Sequence, residues 1–434
     1  MKRRELLGLL GFSGLASMTP FAWPRYAQAN TLNNRLWIVV QAPGGWDPVS
    51  FCNPRGAVDY FSTNSTGKIF NRGIMSNYPV NFIETLGGIT YAPGVTATSE
   101  QSYGNFVKKY YRDLLVINGI EMSTNNHDIG ARLSLSGNGG IALPAFAAYA
   151  AATNQNPLIL NFLSGGSYIN TAGLSTKVSV DGVKSLLRFS DTNTLLNKKE
   201  VFPSELFERL QQERLLRAQR LANQSKLPRE TQELNDFYNT QLSSTELKLL
   251  KSKIPTNLDP GDLKSKIQYI CAAMAANLTA SAQFGVIGVG TGWDSHDKHD
   301  ERSASCLKNL FNHLDFLRQE AERQNISDRL NIIVTSDFGR TPYFNKGKGK
   351  DHWTVGSMLF MGPDFQGNRT INATNQNLHS IPLNLETMQP DINGEKITIK
   401  MIHKTLRALT GTLNSNIDLA FPIDAKAVPK LFAG

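Results

Sequence analysis

Five short apolar runs recur along the chain, and each stops at or near glycine or a polar residue. They are "LWIVVQ" (36–41), "DLLVINGI" (113–120), "LILNFL" (158–163), "QFGVIGV" (283–289) and "RLNIIVTSDFG" (329–339). Runs of this length, with little polar alternation, read as strands covered on both faces. Helical spacing fills the intervals. Residues 138–153 are alanine-rich, and 261–281 repeat apolar residues at helical intervals. Residues 301–325 set Leu307, Leu310, Phe311, Leu314 and Leu317 on one face. Strands alternating with helices predict an α/β fold, with a mostly parallel central sheet flanked by helices. Residues 199–253 depart from the rhythm. They are charged and helical, Pro228 divides them, and they read as a helical hairpin inserted into the domain, either a lid or a surface for a protein partner, or a packed buttress. Residues 365–394, rich in Asn, Thr and Gln, read as irregular loop.

In open α/β sheets, ligands sit beyond the carboxyl ends of the strands. Acidic and histidine side chains fall there at widely separated places: Asp47 after the first run, Asp294 and His296 after the fourth, Asp337 after the fifth, and Asp351-His352 beyond a loop rich in glycine and lysine. Carboxylates converging on one sheet edge repel each other unless positive charge joins them, and a divalent ion is the usual partner. Mixed carboxylate and imidazole ligands suit zinc first, then manganese; magnesium or calcium is favoured if oxygens dominate. Competing readings stand beside this one. Asp294 or Asp300 can cap the following helix. His299, with Asp297 and Asp300, reads as part of that helix and its surface. Trp46, Trp293 and Trp353 either wall a pocket or pack in the core.

The N-terminus carries Lys2, Arg3 and Arg4, then an apolar stretch to about Ala22, then Ala27-Gln28-Ala29. This is the pattern of an export signal spanning residues 1–29, and the adjacent arginines before Glu5-Leu6-Leu7 fit the twin-arginine type. Residues 30–434 then form the mature domain, placed in the periplasm or outside the cell, with no membrane span left after cleavage. The whole chain has a formal charge of +9, and loss of the leader leaves about +6. No run of lysine and arginine has the form of a nucleic-acid patch. The three cysteines, Cys52, Cys271 and Cys306, have no Cys-x-x-Cys spacing; they read as packing residues, with one disulfide between Cys271 and Cys306 as the alternative.

Four motifs together carry a resemblance: "GGWD" (44–47), "GWDSH" (292–296), "SDFGRTPYFN" (336–345) and "GKDHW" (349–353). Their order over nearly the whole mature chain resembles a twin-arginine-exported bacterial family of unknown function, related to sulfatases and the alkaline phosphatase superfamily. The resemblance implies an alkaline phosphatase/sulfatase-like fold and a hydrolase of phosphate or sulfate esters, borne by small molecules or glycans, with one or two divalent ions. It implies metal ligands at Asp47, Asp294, His296, Asp337, Asp351 and His352, with His299 as an alternative to His296. Where the superfamily has a histidine after the late aspartate, this chain has Phe338. Where it has a hydroxyl or modified cysteine nucleophile, opening a helix that ends in a Thr-Gly-like turn, "HDIGARLSLSG" (127–137) puts His127. His127 is then a metal ligand, a general acid or a phosphoryl acceptor, and Arg340 a partner for the ester anion. The same departures are compatible with an envelope binding or assembly protein that keeps the scaffold without turnover.

Overall fold

The computed structural model describes residues 35–63, 69–154, 160–166, 168–180, 199–224 and 261–433, with isolated positions 158, 193 and 259. Along the chain come β1 (Leu36–Ala42), the paired strands β2 (Asp59–Thr63) with β3 (Ile69–Ile74) and β4 (Glu84–Leu86) with β5 (Ile89–Tyr91), α1 (Ser102–Tyr110) and β6 (Leu114–Glu121). Next are α2 (His127–Ser136), α3 (Phe146–Ala152), β7 (Phe162–Ser164), β8 (Lys177–Ser179), α4 (Ser204–Gln224) and α5 (Leu263–Ala275). The last part holds β9 (Ser281–Gly285), α6 (His299–Arg323), β10 (Leu330–Ser336), β11 (Gly339–Arg340), β12 (His352–Trp353), β13 (Val355–Met361), β14 (Arg369–Asn372) and α7 (Ile399–Leu409).

Eight strands form one sheet in the order β14-β6-β13-β10-β1-β9-β7-β8. β1 is parallel to both of its neighbours, β10 and β9, and only β13 runs against its neighbours. Side chains alternate between the two faces of a strand. Ile38 and Val40 therefore enter one core layer, against Tyr103 and Phe106 of α1, Ile270 of α5 and Leu310 and Leu314 of α6. Trp37 and Val39 enter the other, against Leu133 of α2, Phe146 of α3 and Ile402 and Leu406 of α7. A one-residue slip of β1 would exchange the two sets, so burial on both faces fixes the register.

The architecture is thus the expected α/β fold with a mostly parallel sheet between helices. Several boundaries differ from the sequence reading. The fourth run ends at Gly285, because Val286 onward leaves the sheet. The helix expected over 138–153 is confined to Phe146–Ala152, since Gly139, Gly140 and Pro144 resist helical backbone. α6 begins at His299 itself. Of the expected hairpin at 199–253, α4 is described; residues 225–253 lie outside the described residues, as does the leader, 1–29. Among the described residues no helix is long and apolar enough to cross a membrane. All three cysteines are free and buried, so the alternative of a Cys271–Cys306 disulfide is not realised.

Candidate metal centre

The carboxyl edges of β1, β6 and β10 and the loops beyond β9 and β11 supply the site. Pro43-Gly44-Gly45 turns the chain sharply after β1, with φ of +121° at Gly44 and +79° at Gly45. A Cβ on Gly45 would lie 2.6 Å from the Phe338 ring. Only glycine fits that approach and that backbone. α2 opens at His127, capped by Asn126, whose side chain accepts from Ile129 N at 3.1 Å.

Three imidazoles converge on one carboxylate oxygen. Asp294 Oδ1 lies 3.4 Å from His127 Nε2, 3.1 Å from His296 Nε2 and 3.4 Å from His352 Nε2. His296 Nε2 and His352 Nε2 are 3.0 Å apart. On the far side of each ring, Nδ1 meets an acceptor: Asp337 Oδ2 at 3.0 Å for His127, Asp351 Oδ1 at 2.8 Å for His296, and the Asn125 carbonyl at 2.6 Å for His352. Carboxylate and carbonyl oxygens only accept, so every Nδ1 carries its proton. In the neutral rings, each Nε2 then presents a lone pair to the same small space. The buried Nε2 of His127 has no hydrogen-bond partner. Arg340 already pairs with Asp294 Oδ1 at 2.6 Å; the facing Nε2 lone pairs can in addition take a proton in acid or a divalent ion.

The spacings fit the second. Ligands at about 2.0–2.1 Å around a tetrahedral ion stand about 3.3–3.4 Å apart, and the separations of Asp294 Oδ1 from the three Nε2 atoms, and of His296 from His352, are 3.0–3.4 Å. A ligating histidine whose other nitrogen donates to a carboxylate or backbone carbonyl is the usual arrangement around such ions. Among the described residues, His127, Asp294 and His352 form the group whose ligand atoms all lie within 4.8 Å of one another; His296 meets Asp294 and His352 but is not part of that group.

The remaining expected residues take other places. Asp337 is buried and accepts from Gln41 Nε2 at 3.0 Å and Gly44 N at 2.9 Å, so it orients His127 from behind. Asp351 orients His296 in the same way and accepts from Asn345 Nδ2 at 3.1 Å. Arg340 has a fully buried side chain. It contacts Asp294 Oδ1 at 2.6 Å and donates to the carbonyls of Gly44, Gly45, Trp293 and Lys350, bracing three loops at once. Trp46 and Trp293 are core residues, packed edge to face at 6.2 Å. Phe338 lies against the rings of His127 and His352.

Asp47 faces a different set of groups. Its carboxylate meets Lys350 Nζ at 2.8 Å, His299 Nε2 at 3.0 Å and Ser50 Oγ at 2.8 Å. His299 is buried, not on the helix surface as its position suggested; its Nδ1 lies 2.7 Å from Ser295 Oγ. No local signal announces this cluster, because Lys350 and Asp47 are 303 positions apart.

Electrostatics separate the two clusters. The hydrogen bond to Asp337 raises the His127 pKa against the opposing effect of burial. Burial pushes the Asp294 carboxyl up, but Arg340, His296 and His127 outweigh it and hold it below its ordinary value. Burial lowers His352 and His299. Burial also opposes ionisation of Asp47, yet Lys350 and His299 hold its carboxyl far below the usual range.

Residues 38–412 match the profile of a family described as "Protein of unknown function (DUF1501)". The chain belongs to this family. No curated protein matches the sequence. Among solved structures, the protein Ps i-CgsB in complex with k-i-k-neocarrahexaose is 9% identical, with 89% of this chain and 74% of that one covered and a TM-score of 0.36. A putative sulfatase from Bacteroides thetaiotaomicron VPI-5482 is 8% identical, with 91% and 76% covered and a TM-score of 0.33. The phosphonate monoester hydrolase SpPMH from Silicibacter pomeroyi is 9% identical, with 74% and 73% covered and a TM-score of 0.30. Likenesses of that size do not bear on activity.

Proposed function

We propose that this protein is an exported, metal-dependent hydrolase of phosphate or sulfate esters, carried by small molecules or glycans. The observation that supports this best is the convergence of three histidine Nε2 atoms on Asp294 Oδ1, with every Nδ1 anchored from behind. His127, His352 and Asp294 would hold the ion, zinc by its ligand set, with His296 beside Asp294 and His352. When bound, it supplies Lewis acidity toward an ester oxygen and toward water. Asp337, Asp351 and the Asn125 carbonyl keep the three rings in the ligating tautomer. Arg340 keeps Asp294 ionised and turned toward them. His127 and Asp294 are only partly buried, which leaves a substrate access to the centre. Lys346 and Lys348, exposed on the loop that leads to Asp351, offer cations to an anionic ester. The leader supports twin-arginine export to the periplasm or beyond.

Elemental analysis of protein purified from the cell envelope, wild type beside His352→Ala, tests the centre. An aryl phosphate and an aryl sulfate test turnover. The expected result is bound divalent metal and metal-dependent cleavage in the wild type, both lost in the variant. Wild-type protein without metal and without turnover would sink the reading.

One observation favours a second reading, an envelope binding or assembly protein without turnover. Leu206, Leu210, Leu216 and Leu221 of α4 are exposed. A complex recovered from envelope extracts, and lost on deletion of 199–253, would support it; a complex that survives the deletion would count against docking there.

A further inference from the structure

The resemblance implied one or two ions, with Asp47 among the ligands. The donor set around Asp47 is of metal-binding type: one carboxylate, one imidazole nitrogen and a seryl hydroxyl. His299 Nε2 lies 3.0 Å from Asp47 Oδ2 and 3.1 Å from Ser50 Oγ. Yet a cation already stands there. Lys350 Nζ donates to Asp47 Oδ2 and to the Met75 carbonyl, each at 2.8 Å, and lies 5.0 Å from the centre of the Phe344 ring. Carboxylate, carbonyl and aromatic face are the partners of a charged ammonium. Lys350, Asp47, His299 and Ser50 are all buried, so solvent and its ions have no part in this balance.

We infer that Lys350 is a built-in second cation: its ammonium fills the place beside Asp47, so the centre takes one divalent ion and not two. This rests on the metal reading above and refines it. The ammonium also has a positioning role. Lys350 N donates to the Ser295 carbonyl at 2.9 Å, and Asp351 and His352 follow it directly in the chain. His299 opens α6 just beyond Asp294 and His296. One buried ion pair therefore ties together the loops that carry Asp294, His296 and His352.

The test is a zinc titration of the chelated full mature chain, with bound metal read by elemental analysis after gel filtration. Wild type is expected to saturate at one equivalent. Lys350→Ala removes the ammonium and leaves the Asp47, His299 and Ser50 donors around an opening; it is expected to take two equivalents. Asp47→Asn/Lys350→Met, which removes both charges, is expected to return to one. Wild type that saturates at two equivalents overturns the inference and leaves the metal reading intact. Wild type that binds none overturns both. A folded Lys350→Ala that saturates at one overturns the inference. If Lys350→Ala does not fold, the wild type and the charge-free pair decide: one equivalent in each supports the inference, and a second equivalent in either overturns it.

Discussion

Two histidine–carboxylate clusters lie at the same sheet edge and differ in how deeply they are buried. Around Asp47 the counter-charge is covalent, in Lys350, and the cluster is sealed. Around Asp294 three imidazoles face the carboxylate, Arg340 pairs with the same oxygen, and the cluster is half open. Donor types alone therefore do not define a metal site. What separates the two is burial and the nitrogens left over: Lys350 is sealed against Asp47, whereas Arg340 answers Asp294 and leaves imidazole Nε2 atoms facing a half-open space.

The sharpest way to break this comparison is to remove one charged or ring partner from each cluster. Asp47→Ala leaves the Lys350 charge buried and unpaired, and is expected to cost about 3–5 kcal/mol of stability in urea unfolding. His296→Ala, at a half-exposed ring, is expected to cost less than about 1 kcal/mol in chelated protein. Equal losses would mean that the buried cluster is not a structural ion pair of the kind described. A smaller effect tests the groups behind the rings. Asp337→Asn keeps the shape but removes the charge behind His127, and is expected to weaken zinc binding by about 10–100-fold in a competition assay. Unchanged affinity would detach Asp337 from the centre.

The smallest effect is in pH dependence, where the clusters have opposite signs. His299 is held below its ordinary pKa by burial, so the unfolded chain takes up that proton first and stability falls as the pH drops below about 6.5. His127 is raised by its hydrogen bond to Asp337, so in chelated protein its contribution is present below about pH 6.5 and disappears as the pH rises through its folded value. Urea midpoints from pH 8 to 5 are then expected to show a flatter acid loss for His299→Gln and a steeper one for His127→Gln. Shifts in the same direction would contradict the assignment.

The sheet was largely legible because β1, β6 and β10 read as unbroken apolar runs, which is what burial on both faces demands. β13 was not picked out. "VGSMLFM" has few β-branched residues, and its antiparallel insertion between β10 and β6 has no local signature. At the candidate site, strand-end position pointed to Asp294, His296 and His352, and the family resemblance pointed to His127. Spacing could not tell a group that faces the centre from one that orients it, because Asp337 and Asp351 differ from Asp294 only in which atoms they meet. Nor could it show that Lys350, one of several lysines in a glycine-rich loop, turns inward while Lys346 and Lys348 stay outside.

The pairing of β1 also sets a clock for biosynthesis. Leu36 pairs with Leu330, and Trp37 with Ser281. β1 therefore has neither of its sheet neighbours until residues 281–336 have been made. At about 5–20 residues per second that is a wait on the order of ten to sixty seconds. Throughout it, "LWIVVQA" is an apolar segment without its two sheet neighbours, and that exposed stretch is the part of the nascent chain most open to aggregation.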